Sequence, residues 1–163
     1  MAVSLWNQAG VPHKGWTEVD VVDLDEPAET CGMCRSAQVR YIHVMVHADY
    51  ADALRVGVHC AERMADDYAG VRETERWMRR RTAFSVKEWK RERPSGRSFL
   101  RSRKKRATVL LEKRAGGWYV LVEETGARKP RGGRKAYPSE RAARMAVYEW
   151  IYPRPRVLAG KQL

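Results

Sequence analysis

The chain of 163 residues is long enough for one medium domain or two small ones, and its 44% hydrophobic residues suffice for a packed core. No apolar run approaches the roughly 20 residues of a membrane-spanning helix, which argues against a membrane protein. The first ten residues lack a basic start followed by an apolar stretch, so we expect a cytoplasmic protein.

The formal net charge of +12 is distributed unevenly along the chain. Residues 1–71 hold 5 Lys/Arg against 11 Asp/Glu, a net charge of −6, whereas residues 72–163 hold 27 against 9, a net charge of +18. An excess of this size in one half is typical of proteins that bind a polyanion, most often nucleic acid. The alternative is a basic surface that serves only solubility.

Residues 1–81 are predicted to form a zinc-finger domain that opens with an acidic segment. Alternation of apolar and polar residues predicts a short strand at Val19–Val22. The stretches "VRYIHVMVH" (Val39–His47) and "LRVGV" (Leu54–Val58) predict a β-hairpin. Apolar residues at helical spacing then predict a helix from Ala61 to about residue 81, with Gly70 as a candidate break.

Residues 82–106 are predicted to be a basic connecting segment, and residues 107–163 a basic domain with an irregular tail. The stretches "ATVLLEK" and "WYVLVEE" predict two strands, "KAY" predicts a third, and Ser139 is expected to cap the helix "ERAARMAVYEWI". One face of that helix, predicted to cover the sheet, carries Ala143, Ala146, Val147 and Trp150. The predicted fold class is therefore α+β: a treble-clef-like zinc finger, made of a hairpin plus a helix, followed by a three-stranded antiparallel sheet packed by a C-terminal helix.

All three cysteines and three of the four histidines lie between residues 31 and 60. An odd number of cysteines does not suit a disulfide framework, and the Cys31-x-x-Cys34 spacing points to metal chemistry. A Cys-x-x-Cys pair forms a tight knuckle that aims both sulfurs at one point, and Cys60 is expected where the hairpin meets the helix. We expect one structural Zn²⁺ held by these three thiolates and a histidine, ranked His47, then His43, then His59.

The segment "CGMC…RYIHVMVH…LRVGVHCAERM" resembles a motif of small, largely uncharacterised zinc-binding proteins of bacteria and their phages. Such proteins have a CxxC pair, a strand that ends in His, and a VGxxCA segment that opens a helix; the resemblance covers roughly residues 16–64. It implies zinc ligands at Cys31, Cys34, His47 and Cys60. Some of these proteins have a further cysteine at the position of Val58. The resemblance implies a fold and a metal, and no activity.

The basic half of the chain is predicted to contact nucleic acid through phosphates, because Arg and Lys neutralise phosphates and release counterions. The contacts between residues 113 and 135 are expected to lie at the strand ends and in the loop, where phosphates approach most easily, and those between residues 97 and 106 in the basic central run. The candidate residues are Arg97, Arg101, Arg103, Lys104, Lys105, Arg106, Lys113, Arg114, Arg128, Lys129, Arg131, Arg134 and Lys135.

The favoured function is a non-enzymatic nucleic-acid-binding protein, with DNA favoured over RNA as partner. Its acidic N-terminal half would then contact a protein partner, so that the chain serves as an adaptor. A second hypothesis is a phage-type inhibitor or accessory subunit, whose basic face binds a nucleic-acid-processing complex. A third is a zinc-dependent nuclease; neither an HExxH nor a zinc-deaminase pattern is present to support zinc catalysis.

Overall fold

The computed structural model describes residues 3–155, and the predicted irregular tail lies mostly outside these described residues. The protein is α+β, and its chain divides into two compact units with the boundary between Arg79 and Arg80. None of the helices between residues 3 and 155 combines the length and the apolar character that a bilayer crossing requires.

The first unit contains a three-stranded antiparallel sheet, a two-stranded ribbon and helical segments. Its elements are β1 (Thr17–Asp23), β2 (Glu29–Thr30), β3 (Gln38–Val39), β4 (Tyr41–His47), β5 (Tyr50–Val56), α1 (Val58–Met64) and α2 (Tyr68–Val86), the last of which continues past Arg79. The sheet order is β1-β4-β5, and β2 pairs with β3. The core carries Met33, Met45, Val56, Ala61 and Met64, all with no exposed surface.

The predicted hairpin is confirmed as β4 and β5, but the following helix starts earlier than expected. It begins at Val58, so Cys60 lies within its first turn rather than just before it. The helix is interrupted at residues 65–67, between α1 and α2, and not at Gly70. Gly70 lies inside the first turn of α2, where its N–H donates to Asp67 Oδ1 at 2.9 Å, so that Asp67 caps the start of this helix.

The second unit is a five-stranded antiparallel sheet with a helix packed against it. Its elements are β6 (Lys90–Arg91), β7 (Ser98–Ser102), β8 (Ala107–Arg114), β9 (Gly117–Glu124), β10 (Arg131–Tyr137) and α3 (Glu140–Ile151). Each strand pairs with its neighbour in the sequence, in the order β10-β9-β8-β7-β6. Ser139 Oγ accepts the Ala142 N–H at 3.0 Å, which confirms the predicted N-cap.

Two expectations about the second unit were wrong. Residues 82–106 do not form a connecting segment, because they supply β6 and β7 and make the sheet five-stranded instead of three-stranded. The many cations of this segment obscured a short alternation of apolar and polar residues in the sequence. Leu100, one of its apolar residues, packs against the core of the second unit. Trp150 does not cover the sheet: α3 buries Tyr148 and Ile151 instead and leaves Trp150 39% exposed.

Candidate metal centre and basic end of the sheet

The fold brings the three cysteines together. Cys31 follows β2 directly, Cys34 lies in the knuckle between β2 and β3, and Cys60 is in the first turn of α1. Their sulfur atoms all lie within 4.8 Å of one another. Tetrahedral coordination with zinc–sulfur bonds of about 2.3 Å places sulfurs roughly 3.8 Å apart, so a small contraction would close the site around an ion.

Backbone hydrogen bonds fix the knuckle that carries the first two cysteines. The Cys31 N–H donates to Ala37 O and the Arg35 N–H donates to Cys31 O, both at 2.8 Å. The Gly32 N–H donates to Arg55 O on β5 at 2.8 Å, and a Cβ at Gly32 would lie only 3.0 Å from that oxygen. Glycine therefore suits this close approach, because a side chain at position 32 would push against the Arg55 carbonyl that ties the knuckle to the hairpin.

The sulfur of Cys31 is surrounded by hydrogen-bond donors. The Cys60 thiol donates to it, as do backbone N–H groups, including that of Gly57 at 3.4 Å. These donors stabilise the thiolate and lower the pKa of Cys31 to about 5. Burial acts in the opposite direction, but its effect is smaller. Burial opposes ionisation of Cys34 as well, but donation from the Ser36 hydroxyl and from backbone N–H groups still lowers its pKa.

The third thiol responds in the opposite direction. The pKa of Cys60 is raised because its proton is donated to Cys31, because it is buried, and because the negative charge of Cys31 lies next to it. The Trp6 indole nitrogen, itself buried and without an acceptor at hydrogen-bonding geometry, acts on Cys60 in the direction of a lower pKa. Three crowded sulfurs cannot all ionise without a cation, and a soft divalent ion such as zinc would relieve their repulsion. The donor set therefore fits the expected metal.

His47, the histidine ranked first as fourth ligand, is not brought to the three sulfurs. It pairs with Tyr50 beside the β4–β5 turn, whereas the cysteines lie near the opposite end of the hairpin, where β5 leads through Gly57 into α1. Its ring packs 5.3 Å from that of Trp16, and its Nδ1 accepts the Asp49 N–H at 3.0 Å. In residues 3–155, the group with metal-ligand geometry consists of the three cysteines, without any histidine.

His43, ranked second, is held in a buried network. It is fully buried, and its two ring nitrogens face Glu18 Oε2 at 2.6 Å and Glu75 Oε2 at 3.0 Å. Arg79 pairs with the other oxygen of Glu75. Burial works against protonation of the ring, but the two carboxylates outweigh it and raise the pKa of His43. Sequence patterning missed this cluster, because its members come from β1, β4 and α2; the spacing of Glu75 and Arg79 at i and i+4 was the only local sign.

The thirteen predicted nucleic-acid contacts fall into two groups. In an antiparallel sheet, the β7–β8 turn and the β9–β10 loop lie at the same end, and Thr125 joins them by hydrogen bonds from its N–H and hydroxyl to Arg106 O at 3.1 and 2.8 Å. The first group consists of the cations in this turn and this loop and at the start of β10. We call it the basic end; its members are Arg103, Lys104, Lys105, Arg106, Arg128, Lys129 and Arg131.

The cations of the basic end are not neutralised. Lys105 is half-buried and the other six are exposed. In the described part of the chain none of the seven forms an ion pair with a carboxylate, and Glu123 and Glu124 are the exposed acids on the adjoining end of β9. Lys104 Nζ lies 4.6 Å from the ring centre of Tyr152, and Lys105 Nζ lies 5.1 Å from that of Trp150. Both rings remain about two-fifths exposed, at 40% and 39%.

The remaining predicted contacts are placed differently. Arg97 pairs with Glu92 at 2.7 Å and Arg114 with Glu112 at 2.5 Å, so the charges of both are offset by a neighbour. The other members of this group are Arg101 on β7, Lys113 at the end of β8, and Arg134 and Lys135 on the edge strand β10.

No family model, curated protein or solved structure matches this chain. The resemblance drawn from the cysteine and histidine motif therefore stays a prediction.

Proposed function

We propose that the protein is a non-enzymatic nucleic-acid-binding protein that contacts duplex DNA through the basic end of its five-stranded sheet. The observation that supports this most strongly is the meeting of seven cations, none of them paired with a carboxylate in the described residues, at one end of the sheet. Lysine and arginine side chains without carboxylate partners can neutralise phosphates and release the counterions condensed on the nucleic acid. This release drives non-specific binding to nucleic acid.

Two exposed aromatic rings extend the same surface. Trp150 and Tyr152 lie beneath Lys105 and Lys104, where a lysine can turn from its ring to a phosphate at a small cost. The rings then provide flat apolar contact with sugars or bases beside the phosphate contacts. Charge and aromatic surface thus occur together at this end of the sheet, a combination that is common at interfaces with nucleic acid.

The zinc is proposed to have a structural role in the first unit. Cys31, Cys34 and Cys60 hold it between the knuckle, the β4–β5 hairpin and α1, which gives a treble-clef-like arrangement. The acidic N-terminal half is repelled by DNA and is free to contact a protein partner, so the chain would act as an adaptor in the cytoplasm.

The salt dependence of duplex binding tests the role of the basic end. The slope of log affinity against log salt is about −0.9 per phosphate contact, so seven contacts give about −6 and a roughly 6,000-fold loss of affinity between about 50 and 200 mM salt. Replacing Arg103, Lys104 and Lys105 by Ala should leave a slope of about −3.6 and a loss of roughly 150-fold over the same range.

A matched control removes the same charge from the opposite end of the sheet. Replacing Arg97, Lys113 and Arg114 by Ala also subtracts three positive charges, but two of the three are already paired. This control should change the slope by less than one unit. Equal slopes for the two triple variants would contradict a localised site. An unchanged slope in the first variant, with its fold intact, would favour the alternative in which the basic face binds a nucleic-acid-processing protein complex.

A further inference from the structure

A cavity of about 460 Å³ opens in front of the three cysteines. Cys31, Cys34 and Cys60 all line it, together with apolar side chains such as Val39 and Val58. A metal held by the three sulfurs would therefore border this space rather than lie enclosed in the core. Its volume falls within the range of about 300 to 1,000 Å³ typical of small-molecule sites.

The side chains around the cavity leave the fourth coordination position of such a metal without a ligand. Glu75 lines the cavity, but its two oxygens are engaged by His43 and Arg79. His59 also lines it, yet its side chain is 91% exposed and lies 3.9 Å from Glu62. Among the described residues, the cluster with metal-ligand geometry consists of the three cysteines alone.

We propose that the fourth coordination position of the metal is open to this cavity and binds a small thiol. This inference rests on the proposal that the three cysteines hold zinc. On binding, the thiol sulfur would take the fourth position on the metal in place of a solvent water, and the thiol proton would pass to solvent, so that no oxidant or reductant is needed.

The chemistry of the site favours a thiol over harder ligands. An ion already bound by three thiolates accepts a fourth soft sulfur donor, and coordination deprotonates a thiol outright. The cavity wall also offers the apolar surfaces of Val39 and Val58 to the carbon atoms of a ligand. The ring of Tyr41, which lines the cavity, is fixed by Arg40 and Arg79, whose guanidinium carbons lie 5.1 and 5.0 Å from its centre.

Cobalt substitution provides the test, because Co²⁺ occupies zinc sites and its visible spectrum reports coordination. The full chain loaded with Co²⁺ should show sulfur-to-cobalt charge-transfer absorption from the three cysteines. Titration with 2-mercaptoethanol should increase this absorption and shift the d–d bands, while cobalt content after desalting stays constant. The Val58→Cys variant should show the increased absorption without added thiol and should lose the response, because the side chain at position 58 lines the same cavity as the three cysteines.

Two further variants make the outcome decisive. Val46→Cys adds a thiol on β4 at a side chain that is 36% exposed and outside the residues that line the cavity, and it should respond like the unchanged protein. If the unchanged protein does not respond to thiol but His59→Ala does, His59 fills the fourth position and the inference is wrong. Absence of any sulfur-to-cobalt absorption would refute the metal site itself, whereas DNA binding is tested independently by the salt slope.

Discussion

Replacing His43 by leucine removes the one side chain that joins two buried carboxylates. Glu18 is 4% exposed and Glu75 is 6% exposed, and the imidazole lies between them with a nitrogen facing each. Leucine has nearly the same volume, so packing is preserved while both N–H groups are lost. Glu75 keeps its ion pair with Arg79. Glu18 is left without any hydrogen-bond partner, because its Oε2 faces His43 and its Oε1 is already buried without a partner.

The cost of this change follows from leaving a carboxylate buried and unpaired. Removing one partner of a buried ion pair typically costs about 3–5 kcal/mol. The free energy of unfolding of a whole domain is only about 5–15 kcal/mol, so His43→Leu should destabilise the first unit severely. The double variant Glu18→Met/His43→Leu removes the stranded charge as well, and should regain most of the loss, since apolar groups of similar volume replace buried ion pairs at little cost.

The two isoleucines allow each unit to be measured separately. Ile42, beside His43, is fully buried in the first unit, and Ile151 is 2% exposed in the core of the second. Methyl NMR of both residues during urea unfolding should show the Ile42 transition shifting to lower urea in His43→Leu while the Ile151 transition stays in place. A loss below about 1 kcal/mol at Ile42, or no recovery in the double variant, would refute the network as described.

The pH dependence of the same transition has a defined sign. The carboxylates raise the pKa of His43, so the stabilisation that its imidazolium provides is complete below the ordinary value of about 6.5. It is lost as the pH rises through the higher folded-state value. The Ile42 transition of the unchanged protein should therefore move to lower urea above neutral pH, and this component should be missing in His43→Leu.

Two other outcomes follow from the metal centre and from the helix cap. Cys34→Ser should release zinc and unfold the first unit, as reported by Ile42, but leave the core around Ile151, which contains no cysteine. His47→Ala should retain the metal, as measured by metal analysis; zinc loss in this variant would contradict the position of His47 beside the β4–β5 turn. Ser139→Ala removes the acceptor of the Ala142 N–H and should lower the stability reported by Ile151 by about 1 kcal/mol in urea unfolding, and an equal shift at Ile42 would contradict a local capping effect.

Local patterns of the sequence were sufficient for most individual elements. Alternation in "RYIHVMVH" predicted β4, and Ser139 followed by an apolar stripe predicted α3, because these signals lie within about ten residues of chain. The same locality explains the failure at residues 82–106. The high density of cations outweighed the short alternation around Leu100, and the pairing of β7 with β8 was needed to recognise a strand there.

The sequence by itself determined that the chain has a cluster of thiols and a strongly basic half, since both follow from composition and spacing. Only the tertiary structure decided which side chains share these sites. Strand pairing placed His47 at the turn and Cys60 near the other end of the same hairpin, and antiparallel order joined Arg106 to Thr125 across 19 residues. Such distances depend on register and topology, because a shift of one residue in register turns a side chain to the other face of a sheet.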